Sequence, residues 1–162
     1  MLDVESELGK ILPEFYKDFC LIFGSCQLGE LFSIQCPTML QVAATKGWQE
    51  ATREGLYLLN PRMSSTDLKA EFKFINGLFW FGSDQGAYNA FFDLASYDGR
   101  DQSCDIYWIS YSYEDNGELY NLGRDFFEIV DQYFLGDRFF DILPEHWFES
   151  DRTPFPRLVE RW

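Results

Sequence analysis

The apolar residues of this chain change their period along its length. Up to residue 54 they recur every three or four positions. From 77 to 122 they fall into short runs and alternations, and from 124 to 135 the helical spacing returns. Asp105 to Tyr113 reads most clearly as a strand. Within it Tyr107, Ile109, Tyr111 and Tyr113 share one face, while Ile106, Trp108, Ser110 and Ser112 share the other. Helices around such a meander predict an α+β domain, with a single mixed, mostly antiparallel sheet covered by helices at the N-terminus and near the C-terminus. At 162 residues, with 17 Phe, 9 Tyr and 5 Trp, the chain can fill one large core.

The local signals fit this frame. Val4, Leu8, Ile11 and Leu12 are spaced for one helical face. Pro13 ends that helix and opens a second, in which Phe15, Phe19, Ile22 and Phe23 recur before a capping Gly24. Residues 30–35 read as a short strand, and 38–54 as a helix with Leu40, Ala44 and Trp48 facing the core. Residues 56–76 are ambiguous, and Asn60-Pro61 and Ser64-Ser65 suggest loop. Strands follow at 78–81, 87–94, 105–113 and 118–122, with turns at 82–86, at Tyr97-Asp98-Gly99 and at Asn116-Gly117. Phe126, Ile129, Val130, Tyr133 and Phe134 then lie on one helical face, closed by Gly136. The domain is expected to span 1–136. An aromatic extension, 137–162, with prolines at 144, 154 and 156, is expected to wrap back on it in extended form, the alternative being an exposed partner-binding arm.

Charge narrows the function classes. The formal net charge is −14, and its distribution is uneven. Residues 1–83 carry ten acidic and seven basic side chains, 84–145 fourteen and three, and 146–162 three of each. Such a field repels phosphates and anionic lipid and attracts basic partners, so direct nucleic-acid or membrane binding is not expected. The opening MLDVESELGK has no basic segment followed by an apolar one, and no apolar run approaches the roughly 20 residues of a membrane span. Cys20, Cys26, Cys36 and Cys104 form no CxxC pair, which favours free thiols in a reducing cytoplasm over a metal site.

Catalytic signatures are weak. The sole imidazole, His146, stands in the aromatic tail, a poor setting for a hydrolase base. Asp84, Asp93, Asp98, Asp101 and Asp105 offer carboxylates, but no pair among them stands out as glycosidase-like. Phosphate-cradling glycine motifs are missing. Asp98-Gly-Arg-Asp101 and Asp115-Asn-Gly-Glu118 lack the alternation of a calcium loop and read as turns. Neither an enzyme nor a cofactor is expected.

Three segments resemble the SUKH superfamily, a large group of mostly bacterial immunity proteins. Glu5 to Phe19 is similar to its E-x-x-L-G-x-x-L-P-x-x-Y/F-x-x-F opening. Phe79-Trp80-Phe81-Gly82-Ser83-Asp84 with Phe92-Asp93 is similar to its F-G-x-D-G…D hairpin, and Asp125-Phe126-Phe127 to its closing helix. The chain departs from the pattern at Gly24-Ser25-Cys26 and in the residues after 136. The resemblance implies a role in neutralising a toxin, often a nuclease, delivered between bacteria. Some relatives serve instead as regulatory or scaffolding modules.

A nuclease holds phosphates in a basic cleft, which an acidic, tyrosine-bearing surface can occupy. Opposite fields also speed encounter, and tyrosines give rigid contact area. The candidate partner-binding residues are Asp84, Tyr97, Asp98, Asp101, Asp105, Tyr111, Tyr113, Glu114, Asp115 and Glu118. The expected partner is a cognate toxin domain, probed most directly through the neighbouring open reading frame; the oligomeric state is not encoded in any motif.

Overall fold

The computed structural model describes residues 2–29, 32–84, 88–111, 113–115, 117–136, 138 and 141. His146 and nearly all of the 137–162 extension lie outside the described residues. Helices α1 (Leu2–Leu8) and α2 (Glu14–Phe23) are followed by strands β1 (Cys26–Leu28) and β2 (Phe32–Ile34). Next come the helices α3 (Met39–Leu59) and α4 (Ser65–Ile75), then strands β3 (Leu78–Asp84), β4 (Tyr88–Asp93) and β5 (Ile106–Ser110). A 3-10 turn at Tyr113–Asp115 leads to β6 (Leu119–Gly123) and α5 (Phe126–Ile129), which continues as a π-helical turn over Val130–Phe134. The strands lie in chain order, and all five neighbouring pairs are antiparallel. The fold is α+β, with helices at the N-terminus and near the C-terminus.

The alternation read in β5 separates two apolar clusters. Ile106 and Trp108 join Phe79, Phe81 and Phe92 beneath α1, α2 and α5. Ile109 joins Leu78 and Phe91 on the opposite side, where Trp48 of α3 and Phe74 of α4 pack. Aromatic rings organise the first cluster around Phe126. Its ring lies 5.3 Å from those of Phe15 and Phe19, 5.8 Å from Phe92 and 5.9 Å from Phe81. Such pairs add roughly 0.5–1.5 kcal/mol each beyond the area they bury.

The opening segment is held by one carboxylate. Glu5 Oε1 accepts the Leu12 backbone N–H at 2.9 Å and pairs with Lys17 at 3.1 Å, and Lys17 also pairs with Glu14 at 2.6 Å. Gly9, at φ 63°, turns the chain out of α1, so Leu12 is buried while Ile11 points to solvent. On α2 the buried residues are Tyr16, Phe19 and Cys20, and Ile22 and Phe23 are exposed. The sequence pattern holds for Phe15 and Phe19, which pack in the first cluster, and fails for Ile22 and Phe23, which lie past Cys20, the last buried residue of the helix.

Helix α3 shows why hydrophobic period alone misreads a buried face. Strand β2 pairs with β3 only at Gly82–Asp84, so Leu78–Phe81 have an open side. Beyond β2, Gln35 donates its N–H to Phe81 O at 2.8 Å. Helix α3 completes the rest. Gln41 Nε2 donates to Trp80 O at 2.7 Å, Trp80 N donates to Thr45 Oγ1 at 3.3 Å, and Gln49 Nε2 donates to Leu78 O at 2.8 Å. These residues are four apart and form one stripe. Gln41, Val42, Thr45, Thr52 and Leu56 are buried, whereas Leu40 is 80% exposed and Ala44 and Trp48 are half-buried.

Other departures have local causes. Ser64 caps α4 by accepting the Asp67 N–H, so Ser64-Ser65 marks a helix start and 56–76 is largely helical. Strand β3 runs through Gly82 to Asp84, where a turn was expected, because β2 lies beside it; a Cβ at Gly82 would come within 2.5 Å of Ser33 O. Strand β1 carries no alternation long enough to announce it.

The edge bonds give a stability test. Gln41→Ala leaves the Trp80 carbonyl without its side-chain donor and is expected to cost about 1–3 kcal/mol. Urea denaturation with an unchanged slope and a lower midpoint is the expected reading.

Candidate partner-binding surface

The meander sends its connections to opposite ends of the strands. Tyr88 pairs with Ser110, and the Ser110 N–H reaches Glu118 O, which gathers the β3–β4 and β5–β6 connections at one end. Asp93 N–H reaches Asp105 O, and Ile106 pairs with Gly123, which defines the other end. Strand β4 separates them by about 17 Å, at roughly 3.3 Å per residue. The ten candidate residues therefore divide into three groups and form no single patch.

Asp84, Tyr111 and Glu118 occupy the first end. Asp84 Oδ1 accepts the Tyr88 N–H at 3.0 Å, and the Tyr88 hydroxyl donates to Glu118. Tyr88 thus ties the two carboxylates together. Tyr120, whose ring centroid lies 6.1 Å from that of Tyr88, completes the group. Tyr111 is 52% exposed; partial burial, reinforced by the charge of Asp84, pushes its phenol up. Burial and the Glu118 carboxylate likewise raise Tyr88. The ion pairs of the described residues include none to Glu118, and no Lys or Arg occurs in 74–99 or 101–123. Sequence reasoning missed Tyr88 and Tyr120, although Glu118 and Tyr120 stand two apart on β6 and its preceding residue, the spacing of side chains on one face.

Tyr113 and Glu114 fold back over the helices. The Tyr113 hydroxyl donates to Glu71 Oε2 at 2.9 Å, and its ring packs against the Leu78–Phe91–Ile109 cluster. Asn60 Nδ2 donates to Glu114 O at 2.9 Å, and Gly55 lets the Glu114 side chain lie against α3. Asp115 belongs to the same 3-10 turn. For Tyr113 and Glu114 these contacts are with the domain itself, because a 3-10 turn after β5 redirects the alternation seen in the sequence.

Tyr97, Asp98, Asp101 and Asp105 lie at the second end, where the carboxylates build a loop. Asp98 Oδ1 accepts the Arg100 N–H at 2.9 Å, and Asp101 Oδ1 accepts the Ser103 N–H at 3.0 Å and its hydroxyl at 2.7 Å. The Ser103 hydroxyl is the main reason the Asp101 carboxyl sits below the usual range. Arg124 Nη1 pairs with Asp105 at 2.8 Å, while its Nη2 reaches Ser96 O at 3.2 Å. Tyr97 donates to Gln102 Oε1 at 2.9 Å. Arg100 and Arg124 offset part of the charge here.

Among the described residues no group of three or more His, Cys, Asp or Glu could hold a metal ion, and no helix is long and apolar enough to cross a membrane. The model of the SMI1 / KNR4 family (SUKH-1) matches residues 1–132. No curated protein and no solved structure matches the chain.

Several protonated groups are held by burial. Cys20 and Cys104 are pushed up to about 12, and Tyr88 and Tyr113 are also raised. The unfolded chain releases these protons first, so stability falls as pH rises from the ordinary thiol and phenol range, about 8.5–10, toward the folded values. Thermal melting between pH 7 and 11 is expected to show a falling midpoint, less steep in Tyr113→Phe.

Proposed function

Because the chain belongs to the SMI1 / KNR4 family (SUKH-1), we propose that it is an immunity-type protein that neutralises a cognate toxin domain by direct binding. It presents carboxylates and tyrosines to a basic surface, uses no cofactor and transforms no substrate. The observation that carries this reading is the rim formed by Asp84, Tyr111 and Glu118 beside Tyr88 and Tyr120. Two acids there are tied through one tyrosine, and the flanking strands supply no cation. A nuclease toxin would meet this rim with the cleft that otherwise holds phosphate, and nucleic acid itself would be repelled.

Electrostatic steering at such a rim raises association rates above the neutral range of about 10⁵–10⁶ per molar per second. The second end is a weaker candidate, because arginines are built into its loop.

Co-expression with the toxin encoded by the adjacent open reading frame is expected to restore growth. In stopped-flow association with that toxin domain, Glu118→Lys is expected to slow binding roughly tenfold at low salt and to flatten the salt dependence. Asp101→Lys, at the opposite end, is expected to change the rate by less than about threefold. Equal effects at both ends would remove the rim assignment. No rescue of growth by the wild-type protein would remove the immunity reading.

A further inference from the structure

The rim covers a hydroxyl that the domain leaves unused. Ser110 is 7% exposed, and among the described residues its Oγ has no hydrogen-bond partner. The register fixes its neighbours. Tyr88 stands opposite Ser110 on one side, and the pairing of Ile109 with Leu119 puts Glu118 opposite it on the other. Residues directly opposite share a face, so Tyr88, Ser110 and Glu118 form one row. The Tyr88 hydroxyl donates to Glu118 and therefore crosses over Ser110. Tyr88 is buried and Glu118 exposed, which makes the carboxylate the movable half of this cover. Tyr120 follows Glu118 on the same face and is half-buried, its ring 6.1 Å from that of Tyr88. A buried hydroxyl without a partner costs the free domain stability. Alanine would fill the same place without that cost.

We propose that this row is the seat of an arginine side chain of the partner, whose guanidinium pairs with Glu118 and donates to Ser110 Oγ. The inference rests on the toxin-binding reading and names what the rim grips. Three features select arginine. The Glu118 carboxylate has no ion pair among the described residues, and no Lys or Arg occurs in 74–99 or 101–123 to supply one. The two acceptors, Glu118 and Ser110, spring from neighbouring strands about 4.8 Å apart. A planar fork with five N–H donors can serve both at once, whereas an ammonium is a compact point charge on a flexible stem. The Tyr120 ring beside Glu118 offers a face on which a guanidinium can lie.

The test uses the full chain and two small probes, N-acetyl-arginine amide and N-acetyl-lysine amide, titrated by amide NMR. The arginine probe is expected to shift Tyr88, Ser110, Glu118 and Tyr120 most, and to bind about threefold or more tightly than the lysine probe. Ser110→Ala is expected to raise the melting temperature by roughly 2–4 °C, because the unpartnered hydroxyl is gone, and to weaken the arginine probe about fivefold. Glu118→Gln is expected to weaken it about tenfold. A gain in stability joined to a loss of binding in Ser110→Ala separates a binding role from a structural one. Equal affinity for the two probes would overturn the proposal, as would an arginine response that Ser110→Ala leaves unchanged or that is as large at Asp98 and Asp101. Rescue of growth by the wild type without any arginine response would remove this seat alone; an arginine response without rescue would keep the seat and strike the toxin-binding reading.

Discussion

The hydrogen bonds from α3 to the open side of β3 hold the architecture together. Strand β3 joins the short β1–β2 hairpin to the β4–β6 meander, yet β2 reaches only its last three residues. An unpaired backbone at that place would be buried between two apolar clusters, where each lost bond is costly. Gln41, Thr45 and Gln49 replace the absent strand, and the same helix covers Phe91 with Trp48. One helix therefore closes an edge and covers a face. Because it lies along the edge, its residues touch both clusters: Val42 belongs to one and Trp48 to the other.

Much of this was legible in the sequence where packing follows period. The division of β5 into two faces, the helix around Phe126 and the cap at Gly24 all follow from spacing and backbone preference. What escaped depends on partners distant in the chain. A stripe of Gln and Thr looks like a solvent face until the strand beside it is known to lack a neighbour. The exposure of Ile22 and Phe23 at the end of α2 is likewise invisible to a helical wheel. The candidate surface is the least legible part, because acidic residues close in sequence need not be close in space. A meander of alternating direction distributes successive loops to opposite ends, which separates Asp101 from Glu118 however similar they look.

The residues that carry the family resemblance have structural work in this chain. Glu5 holds the Leu12–Pro13 turn, Asp84 closes the approach to β4 through the Tyr88 N–H, and Asp125 caps α5 by accepting two backbone N–H groups at 3.0 Å. Each satisfies main-chain donors that the fold would otherwise strand. Such motifs identify a scaffold and leave its partner open, which is the usual relation between a fold and the sites grafted on it. Differences in specificity would then reside in strand-end side chains that hold no described backbone donor, such as Tyr111 and Glu118, more than in Asp84, Asp98 and Asp101, which do.

The chain-order arrangement of the strands also shapes how the molecule reaches its native state. From β3 onward each strand pairs with the one made just before it, so every closure spans a short stretch and costs little entropy. The junction of β2 with β3 differs, because α3 and α4 intervene between Ile34 and Leu78. The four-stranded meander thus holds the pairings of least closure entropy, whereas joining the N-terminal hairpin to it means closing the long loop that runs through α3 and α4.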